Sequence, residues 1–174
     1  MNLIMKSLFH IAIFTFFSAL TLTAQEDGIV RYFSKQIHND QFEHAYISPR
    51  MISAVSKMDV KDMDAESKAT IKDLKGMRIL STKTGGKKWY DEAVKSLDTK
   101  GYETVMSARK KSENVQIYLK NEDKPDGELI MVLNQNEACT MTSFHGKINL
   151  DKIAKLARSL NIGGSEYLEN MKKK

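Results

Sequence analysis

The residues best suited to metal or acid–base chemistry are the histidines His38, His44 and His145. No two of them stand three or four residues apart, which is the spacing that directs two imidazoles at one metal ion. We therefore expect no metal site, and we interpret His38 and His44 as surface residues beside a turn. A Ser/His/Asp arrangement assembled from distant positions stays open, because catalytic triads are recognised in space and not by their order in the chain.

Two other short patterns resemble ligand sites without completing them. An acidic cluster could suggest calcium, but it lacks the glycine that lets an EF-hand loop turn sharply, and acids at a helix start serve capping without any ion. The cluster comprises Asp59, Asp62, Asp64 and Glu66. Gly85-Gly86-Lys87 lacks the first glycine of a phosphate-binding loop and the hydroxyl residue after the lysine, so we interpret it as a turn. We expect no catalytic residue and no cofactor.

Cys139 is the only cysteine, so a disulfide within one chain is impossible. It stands in an alternating apolar run, which is typical of a small buried hydrophobic residue. The protein must therefore be stabilised by packing.

Interaction chemistry is the better hypothesis. Methionines cluster around the first helices, where they fill a core or line an adaptable surface; they are Met51, Met58, Met63 and Met77. As a candidate binding surface we select Tyr46, Arg50 and Arg78, since a strand end, a helix start and a second strand could bring them together. Tyrosine and arginine are favoured in binding hot spots, although a purely structural role for these three stays open.

The elements that must position these side chains follow from periodicity. Helical spacing of Ile29, Phe33 and Ile37 predicts an opening amphipathic helix. Further helices are predicted from Ser48-Pro49 through Met51, Val55 and Met58, from Asp62 to a stop at Gly76, from Gly86 to Gly101, from Asn149 to Gly163-Gly164, and from Ser165 to Met171. Strands are predicted at Phe42–Ser48, Met77–Thr82, Tyr102–Ala108, Asn114–Lys120, Glu128–Leu133 and Ala138–Phe144. The fold expected is α+β, a largely antiparallel sheet with a C-terminal four-strand meander and the helices packed on one face.

Residues 1–24 are typical of a secretory signal peptide. Lys6 supplies the positive start, an apolar run follows, and Ala24 is the small residue needed at the cleavage point. Either Met1 or Met5 can be the start. Residues 25–174 are then a single exported domain in the periplasm or outside the cell, soluble and with no stable membrane span after cleavage. Export makes nucleic acid an improbable partner despite the formal net charge of +5.

Several segments resemble the domain-of-unknown-function family numbered 4252, small exported proteins of Gram-negative bacteria. The two densest are Phe42–Met51 (FEHAYISPRM) and Lys75–Leu80 (KGMRIL). Weaker similarity lies at Tyr90–Ala93 with Tyr102-Glu103, at Glu113–Val115 and at Lys155–Ile162. Many members are lipoproteins, and this chain differs in having no cysteine at the end of its signal. The family has no established activity and supplies no catalytic residues.

The resemblance implies a role in envelope signalling, because genes of the family tend to lie beside sigma and anti-sigma factors. Our leading hypothesis is a non-enzymatic periplasmic accessory module that binds an envelope protein of the anti-sigma type. The runner-up is a module that binds a small amphiphile or lipid in an apolar pocket. A hydrolase is the third.

Overall fold

The computed structural model describes residues 28–58 and 64–170, and the predicted signal peptide lies outside them. The helices are α1 (Gly28–Gln36), α2 (Pro49–Lys57), α3 (Ala65–Asp73), α4 (Gly86–Ser96), α5 (Leu150–Ser159) and α6 (Ser165–Asn170). The strands are β1 (Glu43–Ile47), β2 (Leu74–Thr82), β3 (Glu103–Arg109), β4 (Glu113–Lys120), β5 (Gly127–Gln135) and β6 (Ala138–Gly146). Every strand predicted from the sequence is present, with ends that differ by a few residues.

The six strands form one antiparallel sheet in the order β1-β2-β6-β5-β4-β3. The last four strands pair in sequence, which confirms the C-terminal meander and the α+β class. Short connections produce this arrangement, since antiparallel neighbours need only a hairpin turn between them. The meander leaves β1 and β3 as the two edges of the sheet.

The helices cover both faces of the sheet, so the prediction that they pack on one face is wrong. Helices α2, α3, α5 and α6 share a core with the side chains of Leu129, Met131 and Leu133 on β5. Helices α1 and α4 pack on the opposite face against Ile130 and Val132. The unbroken apolar run of β5 is typical of a strand buried on both sides.

Two helix starts, at Ser48-Pro49 and at Asn149, lie where the sequence predicts them. Ser48 accepts a hydrogen bond from the backbone N–H of Met51 with Pro49 in the first turn, and Asn149 likewise accepts one from Lys152. These bonds satisfy N–H groups that have no partner within the helix. The caps therefore fix the residues at which α2 begins after β1 and α5 begins after β6.

Three predicted helix stops are wrong, the first being Gly163-Gly164, since α5 already ends at Ser159. Helix α3 ends at Asp73 and the chain enters β2 directly, so Gly76 lies inside the strand, where the pairing with β6 is irregular. Helix α4 ends at Ser96, and Gly101 instead adopts a left-handed φ of 84° in the turn before β3. Glycine suits that turn because it lacks a Cβ. Among the described residues, no helix is long and apolar enough to span a membrane.

Candidate functional site

A groove of about 450 Å³ lies between α1 and the outer two strands of the sheet. Val30, Phe33 and Ser34 line it from α1, and Ile37, directly after the helix, continues the spacing of the same helical face. Its remaining lining residues are His38, His44, Ala45, Tyr46 and Arg78. The groove exists because α1 packs toward α4 and the middle of the sheet and leaves the β1 end of this face uncovered.

Strand β1 forms one wall of the groove and is an edge of the sheet. It pairs with β2 in continuous register from Glu43 to Ile47, and four of its five residues are exposed. An edge strand offers a row of backbone N–H and C=O groups to another chain. The second edge, β3, has a register irregularity between Thr104 and Met106, and such bulges disfavour strand addition.

Tyr46 and Arg78 are direct partners across β1 and β2. The guanidinium carbon of Arg78 lies 4.8 Å from the centre of the Tyr46 ring, a cation–π contact. Tyr46 remains 55% exposed and Arg78 is half-buried. Within the described part of the chain, no acidic side chain lies within ion-pair distance of Arg78. The sheet thus holds a stacked guanidinium that is not paired with any described carboxylate.

The groove combines apolar surface with basic and neutral polar groups. Of the nine described residues that line it, none is acidic, and Arg78 carries the permanent charge. His44 and Tyr46 alternate on one face of β1, which places both side chains toward α1. This alternation could have identified His44 as a groove residue from the sequence, where we interpreted it only as a surface residue.

Arg50 lies apart from the other two selected residues. It is exposed in the first turn of α2, a helix whose buried Ile52 belongs to the core on the opposite face of the sheet. Helix α2 begins at the Ser48 cap immediately after β1 and packs on that face. The structure therefore brings Tyr46 and Arg78 together and separates Arg50 from them.

A second concavity lies on the opposite face, between α2, α3, α5 and the sheet. Its volume is about 180 Å³, and every lining residue is aliphatic or methionine: Ile47, Ile52, Val55, Ile71, Leu74, Met77, Leu156 and Leu160. Ile52 is buried in this core, whereas Met51 and Met58 are 55% and 60% exposed. Of the predicted methionine cluster, Met77 is buried and Met63 lies outside the described residues.

Three polar side chains around Glu128 on β5 are hydrogen-bonded to one another. Glu128 is 3% exposed and accepts hydrogen bonds from Ser143 Oγ at 3.1 Å and from Tyr102 Oη at 2.5 Å. His145 is the antiparallel partner of Glu128 on β6, yet the serine contacts the carboxylate directly. This order differs from a triad, in which histidine lies between serine and acid.

The other candidate chemical residues have structural surroundings. Burial raises the pKa of the Cys139 thiol to about 12, which keeps it protonated at neutral pH. Asp64 caps α3 by accepting hydrogen bonds from the backbone N–H and the hydroxyl of Ser67. Asp59 and Asp62 of the acidic cluster lie outside the described residues. Within residues 28–58 and 64–170, no group of three or more His, Cys, Asp or Glu side chains could hold a metal ion.

A known protein family covers most of the chain. Residues 32–156 match the sequence profile of a domain of unknown function (DUF4252). This range contains α1 from Tyr32 onward, the whole sheet and most of α5. No curated protein matches the chain significantly.

Proposed function

We propose, for a chain that belongs to the DUF4252 family, that it is a non-enzymatic exported module that binds a protein partner through the groove beside β1. The partner segment lies extended along β1 and adds a strand to the sheet. We further propose that the module acts in the periplasm on an envelope protein of the anti-sigma type. The signal-peptide pattern of residues 1–24 supports the location.

The observation that carries this proposal is the coincidence of an open edge strand with a groove along its side. Strand addition gains affinity from backbone hydrogen bonds and specificity from pockets that accept alternate side chains. Strand β1 supplies the edge, and the groove supplies a pocket lined by Phe33, Ile37 and Tyr46. Ile37 and Tyr46 are 43% and 55% exposed, so apolar surface is available to a partner.

Site-specific photo-crosslinking tests this proposal. A photoreactive amino acid replaces Ile37 or Tyr46 in the exported protein, and Lys124, exposed in the turn between β4 and β5, is the matched control position. After irradiation of intact cells, we expect one envelope protein to be cross-linked from positions 37 and 46 and not from 124. Cross-links of the same pattern from all three positions, or none from the groove, would count against it.

The aliphatic cavity favours a second candidate function, the binding of a small amphiphile. An apolar cavity of about 150 Å³ in another protein stays dry and accepts apolar ligands, and the cavity between α2, α3 and α5 is of similar size. Because its lining offers no polar side chain, a hydrocarbon chain matches it better than a peptide backbone does.

Native mass spectrometry tests this candidate. The protein purified without detergent should carry a co-purified amphiphile, and Val55→Phe, which fills the cavity from its wall, should lose it. Met51→Ala on the exposed side of the same helix is the control. An equal lipid content in wild type and Val55→Phe, or none in either, would remove this candidate.

A further inference from the structure

We propose that the segment received by the groove carries a side-chain carboxylate two residues from an apolar side chain, and that Arg78 binds the carboxylate. This inference rests on the proposed function and names the chemical class of the partner segment. It concerns an acidic residue in an extended peptide, in the pattern Asp/Glu-x-apolar.

The first argument is the state of the Arg78 side chain. It is half-buried and stacked on Tyr46, and in the described part of the protein no carboxylate lies within ion-pair distance of it. A planar guanidinium presents paired donors that match a carboxylate, and stacking on an aromatic ring limits its orientation. A ligand carboxylate would therefore bind an arginine that is already oriented.

The second argument is the charge balance of the groove. Arg78 is the permanent cation among the nine described lining residues, and none of the nine is acidic. One cation beside an apolar wall matches one carboxylate beside one apolar side chain. A polyanion such as a nucleic acid needs several cations along its path, so the groove fits it poorly.

The third argument fixes the spacing. In a strand added to β1, alternate side chains point to the same face, and they are two residues apart. The groove face of β1 presents Tyr46 beside Arg78 of β2, and Phe33 on α1 with Ile37 directly after it forms the facing apolar wall. A carboxylate at one position then reaches Arg78, while the side chain two residues along contacts α1. Adjacent acidic and apolar residues would point to opposite faces.

Three synthetic peptides test the inference by titration against the isotope-labelled protein in NMR. The first is acetyl-Thr-Glu-Thr-Leu-Thr-amide, the second replaces its Glu by Gln, and the third is acetyl-Thr-Glu-Leu-Thr-Thr-amide, with Glu and Leu adjacent. We expect the first to bind at least about tenfold more tightly than the second, since a charge-assisted hydrogen bond exceeds the corresponding neutral one by that order. It should also bind more tightly than the third, whose Leu would point to the face opposite its Glu. The shifted resonances should belong to α1, β1 and β2.

Protein variants identify the residue responsible. Arg78→Gln should remove the preference for Glu over Gln, so that the first two peptides bind equally. Arg50→Gln, an exposed arginine on the opposite face, should leave the preference unchanged. Folding of each variant is checked by its urea unfolding curve, and Arg78→Lys, which keeps the charge without the planar fork, is a second variant that should retain part of the preference.

The outcomes separate this inference from the proposed function. Equal binding of the Glu and Gln peptides to the wild type, or binding of none of the three, would overturn the inference. Cross-linking of a partner from positions 37 and 46 would still support the proposed function in that case. Absence of any cross-linked partner together with a clear Glu preference would reject the proposed cellular role and leave the carboxylate site intact.

Discussion

Among the tyrosine rings that contact a cation, Tyr46 and Tyr167 differ in where the anion is. Lys110 lies 5.6 Å from the ring centre of Tyr167, and Arg78 lies 4.8 Å from that of Tyr46. At Tyr167 the protein supplies its own carboxylate, because the hydroxyl donates to Glu113 at 2.6 Å and Lys110 reaches the same carboxylate at 3.3 Å. At Tyr46 no described residue supplies one. We call the group of Tyr167, Lys110 and Glu113 the complete cluster. The group of Tyr46 and Arg78, which has no described carboxylate, is called the open cluster.

The complete cluster ties three parts of the fold together. Glu113 begins β4, Tyr167 belongs to α6, and Gln135 at the end of β5 donates to the second oxygen of the carboxylate at 2.9 Å. These bonds, that from Tyr167 above all, lower the pKa of Glu113 to about 2, and the same bond raises the pKa of Tyr167 to about 12. At Tyr167 the fold completes this chemistry with its own carboxylate, and at Tyr46 we propose that a ligand supplies the carboxylate.

The largest contrast should appear in stability. Tyr167→Ala removes a ring that is 7% exposed in the core together with its hydrogen bond, so we expect a loss of about 3–5 kcal/mol in the free energy of unfolding. Tyr46→Ala removes a ring that is 55% exposed, and we expect a change within about 0.5 kcal/mol. Urea unfolding followed by circular dichroism measures both. Similar losses for the two variants would break the comparison.

The open cluster was partly predictable from the sequence, because its geometry is local to two strands. Alternation and turn residues identify β1 and β2, and tyrosine and arginine on them were selected correctly as neighbours. Arg50 was not placed correctly, since the cap at Ser48 fixes where α2 begins but not which face of the sheet it covers. That choice depends on packing of the whole chain.

The complete cluster and the second layer of helices could not be predicted from the sequence. Glu113 and Tyr167 are far apart in sequence, and no periodicity links them. In β4, Tyr118 alternates with Val115, Ile117 and Leu119 and so resembles a solvent-facing residue, yet it is 6% exposed under α4. Amphipathic aromatic side chains leave the number of covered faces ambiguous, because they suit both a core and a surface.

We expect the second largest difference between the two clusters in the pH dependence of the free energy of unfolding. The folded-state pKa of Glu113 lies below its unfolded value, so its contribution is present above about pH 4.5 and is lost as the pH falls toward about 2. Glu113→Gln should therefore flatten the stability curve between these values, as measured by urea unfolding at a series of pH values. Arg78→Gln is the control and should leave the slope in this window unchanged. An unaltered slope in Glu113→Gln would show that the bonds to Tyr167 and Gln135 do not favour the ionised carboxylate.

The smallest effect on stability should come from completing the open cluster artificially. Ser34 lines the groove from α1 and is exposed, so Ser34→Glu offers Arg78 an internal carboxylate. A partly exposed ion pair of this kind changes the free energy of unfolding by about 0–1 kcal/mol. Binding of the Glu-containing peptide should nevertheless fall at least about tenfold, because the new carboxylate competes for the same guanidinium.

Ser34→Gln is the matched control for this substitution, as it adds similar volume without charge. It should keep the preference for the Glu peptide over the Gln peptide. If both substitutions weakened binding of the Glu peptide equally, the loss would be explained by steric filling of the groove. The added carboxylate would then not be its cause. If only Ser34→Glu weakens binding of the Glu peptide, the open cluster differs from the complete cluster chiefly in lacking its own carboxylate. The groove then selects a ligand that supplies this carboxylate.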